Sequence, residues 1–337
     1  MSPALPAPLA VSLGDPAGIG PELIAQAWAS RRAERLVPFF AVGGAQLLVA
    51  AARSRGIDLP VAVVSTPAEA TAVFARALPV LGSEEAAFWP GQPNRAGAAF
   101  ALASLQGASR LAASSAAGGI VTGPIAKARL AEVGFTHPGQ TEFVAAACGV
   151  AASDAVMMLA SPSLRVVPLT VHIALADVPA CLTSELIERR GRITAQALRR
   201  DFGLAAPRLA VAALNPHAGE EGRMGDEEAR IIAPALERLR AEGIDAQGPF
   251  PADALFAPRA RASYDAALCM YHDQALIPLK ALDFDEGVNV TLGLPVVRTS
   301  PDHGTAFAIA GTGAAHPGAM IAAIRMAGEI AARRAAP

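Results

Sequence analysis

The feature that most constrains this chain is an alternation that runs from end to end, in which apolar runs of strand length are followed by Ala/Leu-rich stretches of helical length. "LAVSLGD" gives way to "GPELIAQAWA", "VPFFAVGG" to "AQLLVAAARS", and "GGIVTGP" to "IAKARLAEVG". Strands buried on both faces read as continuous apolar runs, so this rhythm predicts a parallel sheet covered by helices, an α/β fold. One antiparallel hairpin is expected inside it, because "DAVMMLA" and "LRVVPLTV" are separated only by "SPS". Such a hairpin marks a second subdomain. "LAVAAL" at 209–214 and "AALCM" at 266–270 read as further buried strands, "GVNVTLGLPVV" as the last one, and "GAMIAAIRMAGEIAARRA" as the closing helix.

With 337 residues, 53% of them hydrophobic and 17% charged, the chain can build two domains or one large α/β unit. The net charge of −2, without any long basic or acidic run, offers no electrostatic footprint for nucleic acid or anionic membrane. "MSPALPAPLA" lacks a basic segment followed by a long apolar one, and no uninterrupted apolar stretch of about 18 residues occurs. A cytoplasmic location is expected, with small molecules or a second copy of the chain as partners. Cys148, Cys181 and Cys269 are far apart and lack CxxC spacing, which fits reduced thiols.

Three histidines occupy one kind of place. "VVPLTVH" ends in His172, "LAVAALNPH" in His217 and "AALCMYH" in His272, each at the C-terminal end of an apolar run. In open α/β sheets ligands gather at that edge. Three imidazoles converging there suit a divalent metal with open coordination positions, although each taken singly also fits a hydrogen-bonded core histidine. The loop "GDPAGIGPE" joins a strand to a helix, and Gly14, Asp15 and Gly18 are candidates to meet a cofactor or phosphate, or simply to make the turn. Neither GxGxxG nor GxxxxGK[ST] occurs, so neither dinucleotide motif is supported. "TSPDHGTA" places Asp302, His303 and Gly304 at a turn before a helix, a second candidate stretch for a cofactor's adenosine or phosphates.

An anion site is expected as well. In "GQTE" Thr141 is positioned to cap the helix that follows and to present N–H groups. From Lys280 through Asn289 to Arg298 a donor recurs every nine residues, a set suited to phosphate or carboxylate, or alternatively to ion pairs with Asp283, Asp285 and Glu286. Lys127 and Lys280 are the only lysines among 28 basic residues, which makes their retention notable.

"SLGDPAGIGPE", "TGPIAK", "PGQTE", "LNPHAGEEGRMGDEE", "MYHDQALIPLK" and "GVNVTLGLPVVRTSPDHGTA" together resemble the 4-hydroxythreonine-4-phosphate dehydrogenase (PdxA) family of vitamin B6 synthesis, over nearly the whole chain. The resemblance implies an isocitrate/isopropylmalate dehydrogenase-like fold of two α/β lobes around a central cleft. The expected lobes are 1–130 with 281–337, and 131–280, the second carrying the metal histidines and the dimer contacts. It further implies a homodimer with active sites at the interface, NAD or NADP as cofactor, and one divalent ion (zinc, magnesium or cobalt) held by His172, His217 and His272 with help from both subunits. Gln140, Thr141, Lys280, Asn289 and Arg298 fall on substrate-binding positions. Asp253, Asp273 and Lys280 are the catalytic candidates, for proton transfer or ligand orientation. The implied reaction oxidises 4-phosphohydroxy-L-threonine at C3 and then decarboxylates it to 3-amino-2-oxopropyl phosphate. One position departs: where the family usually has histidine, this chain has Gln140, which can donate a hydrogen bond but cannot exchange a proton near neutral pH. The alternatives are a dehydrogenase of another phosphorylated hydroxy acid, such as threonate or erythronate 4-phosphate, and, in a different class, a phosphate acetyltransferase-like acyltransferase.

Overall fold

The computed structural model describes residues 7–336. It divides into two compact units, the first running to Ala152 and resuming at Leu294, the second comprising Ser153–Gly293. In chain order the strands of the first unit are β1 (Leu9–Ser12), β2 (Phe39–Val42), β3 (Val61–Val64), β4 (Leu78–Leu81) and β5 (Ile120–Thr122). The second unit holds β6 (Val156–Ala160), β7 (Arg165–Pro168), β8 (Arg208–Ala212), β9 (Asp245–Phe250), β10 (Ala266–Cys269) and β11 (Val288–Leu292), after which β12 (Arg298–Pro301) belongs again to the first.

Within the first unit the strand order is β3-β4-β2-β1-β5-β12, and every pair is parallel. β1 is wholly buried, as its unbroken apolar sequence requires. The helix Arg95–Ala113 starts where Asn94 Oδ1 accepts from the Gly97 N–H at 2.8 Å, and it buries Ala98, Ala101, Leu105, Ala108 and Ala112 at intervals of three and four. Ser104 lies on that same face. Its hydroxyl donates to Val42 O at 2.7 Å and accepts from Leu13 N at 3.2 Å, which pins the helix to the ends of β2 and β1.

The second unit has the order β11-β6-β7-β10-β8-β9. β7, β10, β8 and β9 run parallel, while β6 is antiparallel to β7 and to β11. The expected hairpin is β6–β7, with Ala160 opposite Arg165. The last apolar run behaves differently from its expectation as one strand: it becomes β11, a turn, and then β12. The cause is Gly293, whose φ is +81° and where a Cβ would stand 2.0 Å from the Asp154 carbonyl oxygen. Only glycine fits that approach.

The unit boundaries also differ from the expected cuts at 130/131 and 280/281. The helix Gln140–Ala147 stays with the first unit because it packs on the helix Arg95–Ala113 and because Gln140 Nε2 donates to Gly123 O at 2.9 Å. β11 stays with the second because it pairs along its whole length with β6. Among the described residues no helix is long and apolar enough to cross a membrane.

Candidate active site

In the second unit β7 and β10 are parallel neighbours with Pro168 opposite Cys269. The pairing continues past the strands: Leu169 N donates to Cys269 O at 2.7 Å and the Thr170 hydroxyl to Met270 O at 2.8 Å. Two residues further on, His172 and His272 stand with ring centroids 5.9 Å apart. Together with Thr170, Ile173, Tyr271 and Asp273 they line a cavity of about 240 Å³. His272 Nδ1 is 2.7 Å from Asp273 Oδ1, so the carboxylate can accept a hydrogen bond from Nδ1–H, which leaves the lone pair on Nε2.

Gln274 completes the polar run "YHDQ". It is buried; its Oε1 accepts from Met270 N at 2.7 Å and its Nε2 donates to Ala213 O at 2.7 Å. The amide therefore ties the end of β10 to the end of β8. No local pattern announces this role, because it depends on which strands are neighbours.

The third histidine, His217, does not line this cavity. It is exposed, and it begins a left-handed run, His217, Ala218, Gly219, Glu220 and Glu221, with φ between 42° and 78°. Just before it, Asn215 is gripped by buried Glu228, which accepts from its N–H at 2.8 Å and its Nδ2 at 3.0 Å. Among the described residues of one chain, no three His, Cys, Asp or Glu side chains are grouped to hold a metal ion. One chain thus brings together two of the three expected ligands. Asp253 lies exposed on the short helix Ala252–Leu255, outside the cavity. Lys280 is half-buried on the helix His272–Leu282, with Nζ 6.0 Å from the Phe284 ring, and Asn289 sits on β11 with its Oδ1 buried and without a hydrogen-bond partner among the described residues.

In the first unit Arg298 opens β12 and is buried. Its Nη2 donates to Thr122 Oγ1 at 2.8 Å and to Gln140 Oε1 at 3.1 Å, and its Nη1 to Thr141 Oγ1 at 3.3 Å. Burial lowers its pKa to about 10, against the opposing charge of Glu142, so it remains a cation at neutral pH in surroundings that solvate it poorly. Thr141 does not cap its helix as expected. Gly139 is the N-cap residue, no side chain caps the end, and the Thr141 hydroxyl is turned to Arg298 instead. Lys127 is close by, with Nζ 3.6 Å from the point a Cβ on Gly139 would take. Of the nine-spaced trio, Arg298 belongs to the first unit and Lys280 and Asn289 to the second.

The two candidate cofactor stretches meet in the first unit. A Cβ on Gly14, whose φ is +73°, would lie 2.3 Å from Pro124 O, and one on Gly18 would lie 2.8 Å from Thr305 O. Ile19 N donates to that same Thr305 carbonyl at 3.0 Å, which joins Gly14–Gly18 to the residues following Asp302, His303 and Gly304. Asp15 is buried; Oδ1 accepts from Ala17 N at 3.0 Å, whereas Oδ2 has no hydrogen-bond partner among the described residues. Burial raises its pKa above the ordinary carboxylate value, against the Ala17 N–H and the charge of Arg129. His303 Nδ1 is 3.0 Å from Gly304 O, and its buried Nε2 likewise lacks a partner. Glu22, in the first turn of the helix Gly20–Ala29 that follows this loop, is structural: it pairs with Arg55 at 3.3 Å and accepts from Gly311 N at 3.2 Å.

Comparison with known proteins gives this arrangement a family. The model of the pyridoxal phosphate biosynthetic protein PdxA matches residues 35–327. A curated 4-hydroxythreonine-4-phosphate dehydrogenase from Erythrobacter litoralis is 62% identical, covering 97% of this chain and 98% of that protein. One from Zymomonas mobilis is 54% identical, covering 98% and 97%. The crystal structure of the enzyme of that name from Klebsiella pneumoniae superposes with a TM-score of 0.87 at 39% identity, covering 98% of this chain and 99% of that one. The chain belongs to the PdxA family of pyridoxal phosphate biosynthetic proteins.

Proposed function

We propose that this chain is an oxidoreductase of vitamin B6 biosynthesis that oxidises 4-phosphohydroxy-L-threonine at C3 with NAD(P)+ and releases CO2 to give 3-amino-2-oxopropyl phosphate. The observation that carries this is identity above 50%, over almost the full length, to relatives named for that dehydrogenase activity. The same identity favours dehydrogenation over the acyltransferase alternative. Arg298 supports an anionic substrate, since a buried guanidinium held at Thr122, Gln140 and Thr141 is the planar cationic donor that suits phosphate or carboxylate. Lys280 and Asn289 are the further substrate contacts and Lys280, with Asp273, the candidate for proton transfer. Asp253, exposed and outside the cavity, has the weakest support of the catalytic candidates.

Gly14, Asp15, Gly18, Asp302, His303 and Gly304 would hold the nicotinamide cofactor, which supplies the hydride acceptor. The buried, unpartnered Asp15 Oδ2 and His303 Nε2 fit a ligand with hydrogen-bonding groups there. His172, His217 and His272 would hold a divalent cation, which supplies Lewis acidity toward a hydroxyl or carbonyl oxygen. With His172 and His272 close together in one chain and no third ligand grouped with them among the described residues, the full set would draw on both subunits of a homodimer. Exposed apolar side chains support such an interface: Ile173 and Leu175 beside His172, and Ile277 and Phe284 at 65% and 74% exposure on and after the helix of His272. Asp273 orients His272 through Nδ1.

The test is production of NADH or NADPH from 4-phosphohydroxy-L-threonine, with CO2 release, before and after chelator treatment. Turnover that chelation abolishes and added Zn2+, Mg2+ or Co2+ restores is expected. Turnover of threonate or erythronate 4-phosphate in its place would reassign the substrate.

A further inference from the structure

One carboxylate touches the chain on both sides of His217. Two residues before the histidine, the Asn215 backbone N–H donates to Glu228 Oε1 at 2.8 Å and Asn215 Nδ2 to Glu228 Oε2 at 3.0 Å. The second N–H of that amide goes to Glu227 Oε2 at 2.7 Å. Two residues after the histidine, Gly219 packs so closely that an added Cβ would lie 2.7 Å from Glu228 Oε2. From His217 to Glu221 the backbone is left-handed, although every residue of that run except Gly219 carries a Cβ. That conformation is costly for such residues and persists only where the surroundings hold it. Glu228 is buried, whereas His217 is exposed. Glu228 also opens a π-helical turn, Glu228–Ile232, a rare element that recurs at functional sites.

We propose that Glu228 is a positioning residue for His217, holding the left-handed turn that keeps the exposed imidazole presented to a divalent cation. The inference rests on the assignment of His217 to that cation, made above. A carboxylate suits the task because both of its oxygens are acceptors. It holds a backbone N–H and a side-chain N–H of the same residue at once, which fixes Asn215 in rotation as well as in position. An amide offers one acceptor and turns a donor toward the other N–H. Asp273 orients His272 by bonding the ring itself, whereas Glu228 acts on the backbone that carries the ring.

The test is Co2+ binding to the metal-free, full-length protein, measured calorimetrically, with NAD+ affinity, thermal melts and amide hydrogen exchange on the same samples. Glu228→Gln should weaken Co2+ by about 10- to 100-fold, the range for a residue that orients a ligand from outside the coordination shell. Exchange at residues 217–223 should quicken in the metal-free protein, and NAD+ affinity should stay as in wild type. Adding Ala218→Gly to Glu228→Gln should recover part of the Co2+ affinity, because glycine takes the left-handed φ of 54° there without a Cβ penalty. Asn215→Ala removes the side-chain half of the grip and leaves the buried carboxylate in place. It should show the same losses to a smaller degree, and it decides the matter if Glu228→Gln does not fold. Wild-type Co2+ affinity in these variants, with affinity lost in His217→Ala, overturns the positioning role and leaves the cation site standing. Equal losses of Co2+ and NAD+ affinity would mark a general loosening of the fold and overturn the role as well. Wild-type affinity in His217→Ala overturns the cation assignment, and the positioning role with it.

Discussion

The imidazoles of His172 and His272 face one cavity, 5.9 Å apart between centroids, because the strands they follow are hydrogen-bonded neighbours. Each ring is delivered by a strand end, and Asp273 fixes one of them through Nδ1 at 2.7 Å.

Asp273→Ala should therefore lower kcat/KM and bound divalent metal by roughly 10- to 100-fold, the usual cost of losing a carboxylate that orients a ligating histidine. Its side chain is 69% exposed, so the melting temperature should barely move. Metal analysis and steady-state kinetics on the same preparation check this, and unchanged metal content would remove Asp273 from the role.

Gln274→Leu should be costly for stability as well as rate. It strands Met270 N and Ala213 O, two buried backbone groups, at about 1–3 kcal/mol each. Urea denaturation should show a loss of about 2–6 kcal/mol. Because the two groups end β10 and β8, the position of His272 should suffer too, and turnover should fall even at temperatures where the variant is folded.

Asp15 carries a pH dependence. Burial holds its carboxyl above the ordinary value of 3.8, so the folded state binds this proton more tightly than the unfolded chain does. The stability contributed by the protonated form is complete below 3.8 and is lost as pH rises through the raised value. Asp15→Asn keeps the acceptor for Ala17 N and removes the charge. It should melt higher than wild type at pH 7, with the difference shrinking toward zero as pH falls to 4 and below. A constant difference across that range would mean that another group is responsible. If Asp15 Oδ2 serves the cofactor, the stabler variant should also bind NAD+ more weakly.

Gly293→Ala should destabilise the second unit by about 2–4 kcal/mol, from a left-handed residue given a side chain and an overpacked contact. The contact is the one with the Asp154 carbonyl, 2.0 Å from an added Cβ. Chemical denaturation of the variant checks it, and a loss under 1 kcal/mol would mean that the turn can relax.

What was legible in the sequence follows the range of the forces involved. The parallel strands, the β6–β7 hairpin and the closing helix Gly318–Ala335 are written in local periodicity and could be read there. The split of 287–297 was hidden, since apolar residues flank Gly293 on both sides and only the Asp154 carbonyl, some 140 residues earlier, makes glycine necessary. The place of Gln140–Ala147 in the first unit depends on packing against a helix far back in the chain. Strand-end histidines are visible as a class, and strand order makes β10 a neighbour of both β7 and β8; His217 misses the cavity because it lies beyond the end of β8 on a left-handed run that residue patterns do not announce. Thr141 reads locally as a cap because its partner, Arg298, lies 157 positions away.

The contact between Gly293 and Asp154 also bears on how the chain assembles. The second unit is an insertion whose entry and exit are held against each other, while β12 must return to β5 across it. The entropy of closing a loop grows with the logarithm of its length, so a disordered insert of about 140 residues would tax that return. Once Ser153–Gly293 has folded, its ends are clasped and only the segments 123–152 and 294–297 remain as free length between β5 and β12. The contiguous insert can thus act as the first unit's own loop-closing device, and the strand bearing Arg298 is the one that it delivers.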